Sequence, residues 1–360
     1  MKKLVGVLII SVLVISLFAG CTKDQQTLYV LNWGEYMSEE LIEKFEAETG
    51  IKVVTDEVDS NEAMYEKIKS GNTAYDIAVP SEYMIQKLTS ENLLNTIDKT
   101  QLSNLKSDTL EPIVAKLMND AKINNNAVPY FYGCIGIMYR NKYEDLVKEH
   151  GFRVLFDRAI LPKGTKVGMY NSGRDSVSAA LLHLGYDVNT TDAKQLKEAE
   201  ELLKNMDYTL WGDDNLKREI IAGNLDIALV YSGDFFDSYY VVLDEGSDLT
   251  FNFMTPLSTN IWVDGMVIPT TSKNVELAHK FVNFFLDASN VLTNVDSVGY
   301  TPVVTKTYEM MKEDSSRTDI TGHRYFRDIY FDKDFKGQMY KNLTPEHYQQ
   351  LEEILMRAKQ

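Results

Sequence analysis

Cysteine is almost missing from this chain: 360 residues contain two, Cys21 and Cys134. Their surroundings differ too much for a disulfide framework, and Cys134, inside Tyr132-Gly133-Cys134-Ile135-Gly136-Ile137, reads as a buried free thiol. The five histidines are scattered without the spacing of metal ligands, so no metal centre is expected from them. Positive charge is in deficit, with 37 Lys and Arg against 53 Asp and Glu, a balance of −16. That excludes the basic surface nucleic acid requires and favours cationic partners through long-range steering. No phosphate-cradling glycine loop, zinc-protease helix or nucleophile elbow occurs. The serine-lysine spacing of Ser103-Asn104-Leu105-Lys106 stands without companion motifs. An enzyme is therefore not expected, nor a cofactor.

Long hydrophobic runs are also missing, with one exception. Leu4 to Phe18 is apolar over 15 residues and follows Lys2 and Lys3. A membrane span needs ~20 such residues, whereas a secretory leader needs fewer. Ala19-Gly20-Cys21 closes the run and resembles a bacterial lipobox, with Phe18 where leucine is usual. The expectation is a signal peptide over residues 1–20, a lipid on Cys21 and a polar tether over 21–26. Loss of Lys2 and Lys3 with the leader would leave 35 basic and 53 acidic side chains, a balance of −18.

What remains is ordinary globular composition, 44% hydrophobic and 25% charged, enough for two domains. Thr27 to Trp33 reads as a strand. Ser38 starts a helix through Leu41, Ile42 and Phe45, and Gly50 ends it. Ile51 to Val54 is a second strand. Asp59-Ser60-Asn61-Glu62 opens a helix carrying Met64, Tyr65 and Ile68. Asp76 to Val79 is a third strand, stopped by Pro80. This rhythm predicts an open α/β sheet with crossovers. Further along, strands are expected at Ala127 to Tyr132, Ile135 to Tyr139, Lys166 to Met169, Asp226 to Tyr231 and Ile261 to Ile268. Helices are expected over Asp175 to Leu184, Asp192 to Met206 and Asn274 to Leu286, and polar helix from Thr307 on. Ile135 to Tyr139 and Ile261 to Ile268 read as crossings between two lobes.

The residues that carry chemistry gather after the strands. They are Asn32-Trp33-Gly34-Glu35-Tyr36, Pro80-Ser81-Glu82-Tyr83, Tyr231-Ser232-Gly233-Asp234, Trp262-Val263-Asp264-Gly265 and Gly299-Tyr300-Thr301-Pro302. In open α/β sheets ligands bind outside the carboxyl ends of strands. Aromatic faces with interspersed acids suit a linear polyamine. The rings cover methylenes and attract ammonium groups, at ~0.5–2 kcal/mol each, and carboxylates must close the ends because an unpaired buried ammonium is prohibitive.

These motifs, together with Glu48-Thr49-Gly50-Ile51-Lys52-Val53, Ala74-Tyr75-Asp76-Ile77-Ala78-Val79-Pro80-Ser81 and Leu184-Gly185-Tyr186, are similar to those of the bacterial spermidine/putrescine-binding proteins. The resemblance covers nearly all of the chain after the leader. It implies a two-lobed type II periplasmic-binding-protein fold with the ligand cleft between lobes. Lobe 1 would comprise residues 27–133 and 262–305, and lobe 2 residues 134–261 and 306–360. It implies a monomeric receptor that hands a polyamine to an ABC permease and its ATPase subunits. Matched motif by motif, Trp33, Tyr36, Ser81 and Tyr83 come from the first lobe, Tyr231 replaces a family tryptophan, Trp262 and Asp264 hold the middle, and Tyr300 adds a wall. The acids depart from the spermidine type: Asp175 stands for a glutamate, Ser172 for an aspartate, and Asp234 resembles the putrescine-selective branch. Asp175 also suits a helix N-terminus, and Asp213 and Asp214 read as caps of the next helix. Glu35 and Glu82 read as residues of the cleft mouth. Adjacent Tyr239-Tyr240 is similar to the iron-ligating tyrosines of ferric-binding proteins, so ferric iron, another cation or a thiamine-like ligand is the alternative reading.

Overall fold

The computed structural model describes residues 26–360. The expected leader, Cys21 and all of the tether but its last residue lie outside the described residues.

The first strand, β1 (Thr27–Trp33), pairs in parallel with β2 (Lys52–Val58) on one side and β3 (Ile77–Ala78) on the other. Between β1 and β2 runs the helix Glu39–Thr49, which buries Leu41 and Phe45. Ser38 starts it as expected but makes no side-chain cap; its backbone N–H goes to Asn294 instead. The helix Asn61–Ser70 joins β2 to β3, with the Ser60 hydroxyl accepting from Ala63 N–H at 3.2 Å.

The next strand corrects the expectation of two. β4 (Ala127–Arg140) is a single run of 14 residues, thirteen of them buried. Burial on both faces removes the alternation that marks a strand open to water on one side, which hid its length. Gly133-Cys134, read as a gap, lies inside it. β4 also changes partners at that point. Its first half, to Cys134, is antiparallel to β9 (Ser258–Val267). From Ile135 on it is antiparallel to β7 (Ile227–Tyr231).

β7 is parallel to β5 (Val167–Tyr170), which is parallel to β6 (Leu210–Gly212). β8 (Phe251–Met254) and β10 (Thr301–Pro302) add to opposite halves of β4, and β11 (Lys336–Gln338) adds to the start of β9. The path β2-β1-β3-β9-β4-β7-β5-β6 is thus two parallel α/β sheets joined through the long antiparallel strands β4 and β9. The C-terminal part is less polar and less helical than expected. It contributes β11 and the buried Phe326, Tyr330 and Tyr340. Among the described residues no helix is long and apolar enough to cross a membrane.

Candidate functional site

The carboxyl ends of β1, β3, β5 and β7 deliver the predicted motifs to the seam between the two sheets, where β9 and the segment before β10 add theirs. Aromatic rings form a continuous wall there. Tyr36 packs edge-on against Tyr130 and Tyr300, both with ring centroids 5.4 Å away. Tyr300 meets Trp262 at 5.1 Å, Trp262 meets Tyr231 at 6.0 Å, and Tyr231 meets Tyr170 at 5.2 Å. Edge-to-face pairs of this kind each contribute ~0.5–1.5 kcal/mol. The helix Ala288–Val298 ends at Gly299, whose φ of 83° turns the chain so that Tyr300 lies over Gly233. A Cβ on Gly233 would meet that ring at 2.2 Å, so only glycine admits it.

Tyr36 donates from its hydroxyl to Asp264 Oδ2 at 2.9 Å, while its carbonyl accepts from Tyr130 at 2.7 Å. Ser81, held by Asn61, faces Asp264 across an isolated bridge. Asp264 is only 6% exposed. Burial pushes its carboxyl up to about 7, against the opposing pull of Ser81 and Tyr36. Its Oδ1 and the Trp262 indole nitrogen are buried with no hydrogen-bond partner.

The other predicted acids are engaged. Asp175 Oδ1 accepts from the hydroxyls of Tyr231 and Tyr340, each at 2.9 Å. Ser172 is the N-cap of the helix Gly173–Leu184 and accepts from Asp175 N–H at 3.2 Å, and Asp175 lies in the first turn of that helix, where the dipole favours an acid. Asp234 Oδ2 accepts from Tyr231 N–H at 3.2 Å, and Lys217 stands 3.7 Å from Oδ1. Burial, then the charge of Asp214, pushes Asp234 up to about 7, with Lys217 acting the other way. Asp213 accepts from Asn215 N–H as a cap would. Asp214 makes no cap bond and accepts from Tyr170 at 2.8 Å.

Two predicted residues sit apart from this wall. Trp33 spends its indole N–H on Val79 O at 2.8 Å. Tyr83 carries the Arg174 guanidinium over its ring at 3.9 Å, with Tyr340 beyond at 6.3 Å. Glu35 is exposed with a φ of 52°. Glu82 is not at a mouth: it is fully buried, because the first turn of the helix Glu82–Ser90 points it at β9. Tyr239 and Tyr240 diverge, as neighbours on a helix must. Tyr239 packs on Phe235 and His323, while Tyr240 lies near Arg317 and Asp296. Among the described residues no group of His, Cys, Asp and Glu converges as metal ligands do. Tyr130, Tyr170, Arg174, Lys217 and Tyr340 were missed. Their sequence contexts are ordinary strand, helix or loop, and only the tertiary fold brings them here.

Two parallel α/β lobes joined by shared strands, with an aromatic and acidic seam between, define a solute-binding protein of the two-lobed type. The chain belongs to the bacterial extracellular solute-binding protein family, which it matches over residues 40–319. It is similar to the spermidine/putrescine-binding periplasmic protein of Escherichia coli (strain K12), 30% identical over 292 residues that make up 80% of each chain. It is similar too to the putrescine-binding periplasmic protein SpuD of Pseudomonas aeruginosa, 32% identical over 273 residues, covering 73% of this chain and 74% of that one. Among solved structures, the spermidine/putrescine ABC transporter substrate-binding protein PotD of Streptococcus pneumoniae superposes with a TM-score of 0.75 at 30% identity. That match covers 93% of this chain and 99% of that one. The fold expected from the sequence is therefore the fold found.

Proposed function

We propose that this chain is the extracytoplasmic receptor of an ABC importer for polyamines, spermidine or putrescine or both, which it delivers to the permease and its ATPase subunits. The observation that carries this is the Asp264 carboxyl. It is buried among Tyr36, Trp262 and Tyr300, and one of its oxygens has no partner. An ammonium group supplies the missing donor, and a charge-assisted hydrogen bond contributes about 1.5–3 kcal/mol. The rings between Tyr36 and Tyr231 suit the methylene chain, at ~0.8 kcal/mol per buried CH₂. A second ammonium is met in the region of Asp175 and Asp234. Ser81, Tyr83, Trp33 and Ser172 frame this site rather than supply its charge.

In this reading lobe 1 is residues 27–133 with 262–305, lobe 2 is 134–261 with 306–360, and the lobes close by hinge motion. The mature chain begins at a lipid-bearing Cys21, is held at the outer face of the membrane and works as a monomer. Isothermal calorimetry of the mature protein with putrescine, spermidine and spermine tests the proposal. Saturable heat with at least one is expected, and silence with all three refutes it. The ferric alternative has no support from Tyr239 and Tyr240, which do not converge; a coloured complex with ferric iron would revive it.

A further inference from the structure

Glu82, expected at the cleft mouth and given no part in binding, is the most completely buried acid near the site. Its Oε2 accepts from Val263 N–H at 3.2 Å, the residue next to Asp264, and its Oε1 is buried with no partner. Ser81, which precedes it, is bridged to Asp264. Two buried carboxyls from neighbouring elements, the helix Glu82–Ser90 and β9, thus lie at one end of the seam, close enough for their charges to oppose one another, and each has an unpartnered oxygen.

The charged and titratable groups around them are few. Arg174, from the helix Gly173–Leu184, exerts the one favourable charge on Glu82, and it is committed to the Tyr83 ring and to Lys341 O. Tyr83 lies beside Glu82, while Tyr36, Tyr130 and Tyr300 face Asp264. Among the described residues neither carboxyl has a lysine or arginine bonded to it: no cation acts on Asp264, and Arg174 acts on Glu82 only through its charge. Burial, then the charge of Asp264, pushes Glu82 up to about 8.

We propose that Glu82 and Asp264 act as one pair of mutually opposed buried carboxyls, of which one stays protonated until a ligand ammonium enters and takes the proton's place. This rests on the polyamine reading and deepens it: capture of the cation at this end releases a proton. The carboxylic O–H bond breaks, its proton passes to the solvent, and the ammonium N–H donates to the freed oxygen. Two like charges in one buried site cannot both ionise without such a counter-ion. Glu82 thereby becomes a specificity residue, because a neutral ligand end cannot stabilise the second charge.

The test is calorimetry with putrescine at about pH 7.5 in buffers of different ionisation heat, which counts protons released. Putrescine's primary ammonium groups, like lysine's at ~10.4, stay charged there. Wild type should release about one proton per ligand, and Glu82→Gln less than about half a proton. From about pH 7.5 to 8.5 wild-type affinity should rise roughly 3-fold or more, and that of the variant less than about 2-fold. Asp234 also titrates low in this range, so equal release by wild type and Glu82→Gln would assign the proton to Asp234 and overturn the pair. Infrared difference spectroscopy on wild type alone keeps the test independent of the variant's folding. The carbonyl band of a protonated carboxylic acid should bleach on putrescine addition, and its persistence would overturn the proposal. No heat with putrescine at any pH, in either protein, refutes the polyamine reading itself.

Discussion

At Asp264 burial and charge conflict. Its carboxyl was legible in Trp262-Val263-Asp264 as an acid beside an aromatic. Its partner Tyr36 lies 228 positions away in sequence, and Glu82 pointed inward only once helix and strand were docked. Asp264→Asn keeps an acceptor for Tyr36 but removes the ligand's counter-charge. Putrescine or spermidine binding should weaken by roughly tenfold or more in calorimetry, the loss of about one charge-assisted hydrogen bond. The same change removes a buried carboxylate, so the thermal midpoint of the ligand-free protein near neutral pH should rise. Unaltered affinity would contradict the role given to Asp264.

On the scale of elements, the helix Ser232–Asp244 and the turn at Gly299-Tyr300 are fitted to one another. Gly233 leaves the flat space on which the Tyr300 ring lies, and the ring then reaches both Tyr36 and Trp262. In Gly233→Ala the added methyl would overlap the ring, and Tyr300 must swing away. With two edge-to-face contacts displaced, at ~0.5–1.5 kcal/mol each, polyamine affinity should fall roughly tenfold. The far-ultraviolet dichroism should stay that of wild type. A variant with full affinity would show that Tyr300 is not part of the wall. The helices and short strands of the first lobe were readable because their caps, glycines and periodicity are local. β4 was not, because a strand covered on both faces carries no alternation to read.

Across the whole molecule, several acids carry opposite linkages to folding. Glu82, ordinarily 4.5, is held at about 8, and Asp234 and Asp264, ordinarily 3.8, at about 7. A raised value favours the folded state below the ordinary value, and that contribution is lost as pH rises through the folded one. Glu200 runs the other way. Arg357, and less strongly Lys204, hold it at about 2, so its contribution is present above the ordinary value and is lost on acidification. The ligand-free protein should therefore be most stable near about pH 5 and lose thermal stability up to about pH 8. Saturating putrescine should flatten or reverse that decline, because bound ammonium groups stabilise the ionised acids. Scanning calorimetry with and without ligand checks this, and a ligand-free midpoint that does not vary over the range contradicts it.

Local signals in the sequence determined the α/β class, the two-lobed expectation, the acidic surface and the motifs that end the strands. Each depends on neighbours a few residues apart: a glycine past a helix, an alternating strand, an aromatic beside an acid. Only the tertiary structure decided which acids still have an oxygen to offer. Tyr231 and Tyr340 both donate to Oδ1 of Asp175, and Asp234 meets Tyr231 N–H and Lys217, whereas Asp264 and Glu82 each bury one oxygen with no partner. Burial and hydrogen-bond satisfaction are sums over groups from distant parts of the chain, and no local pattern carries them.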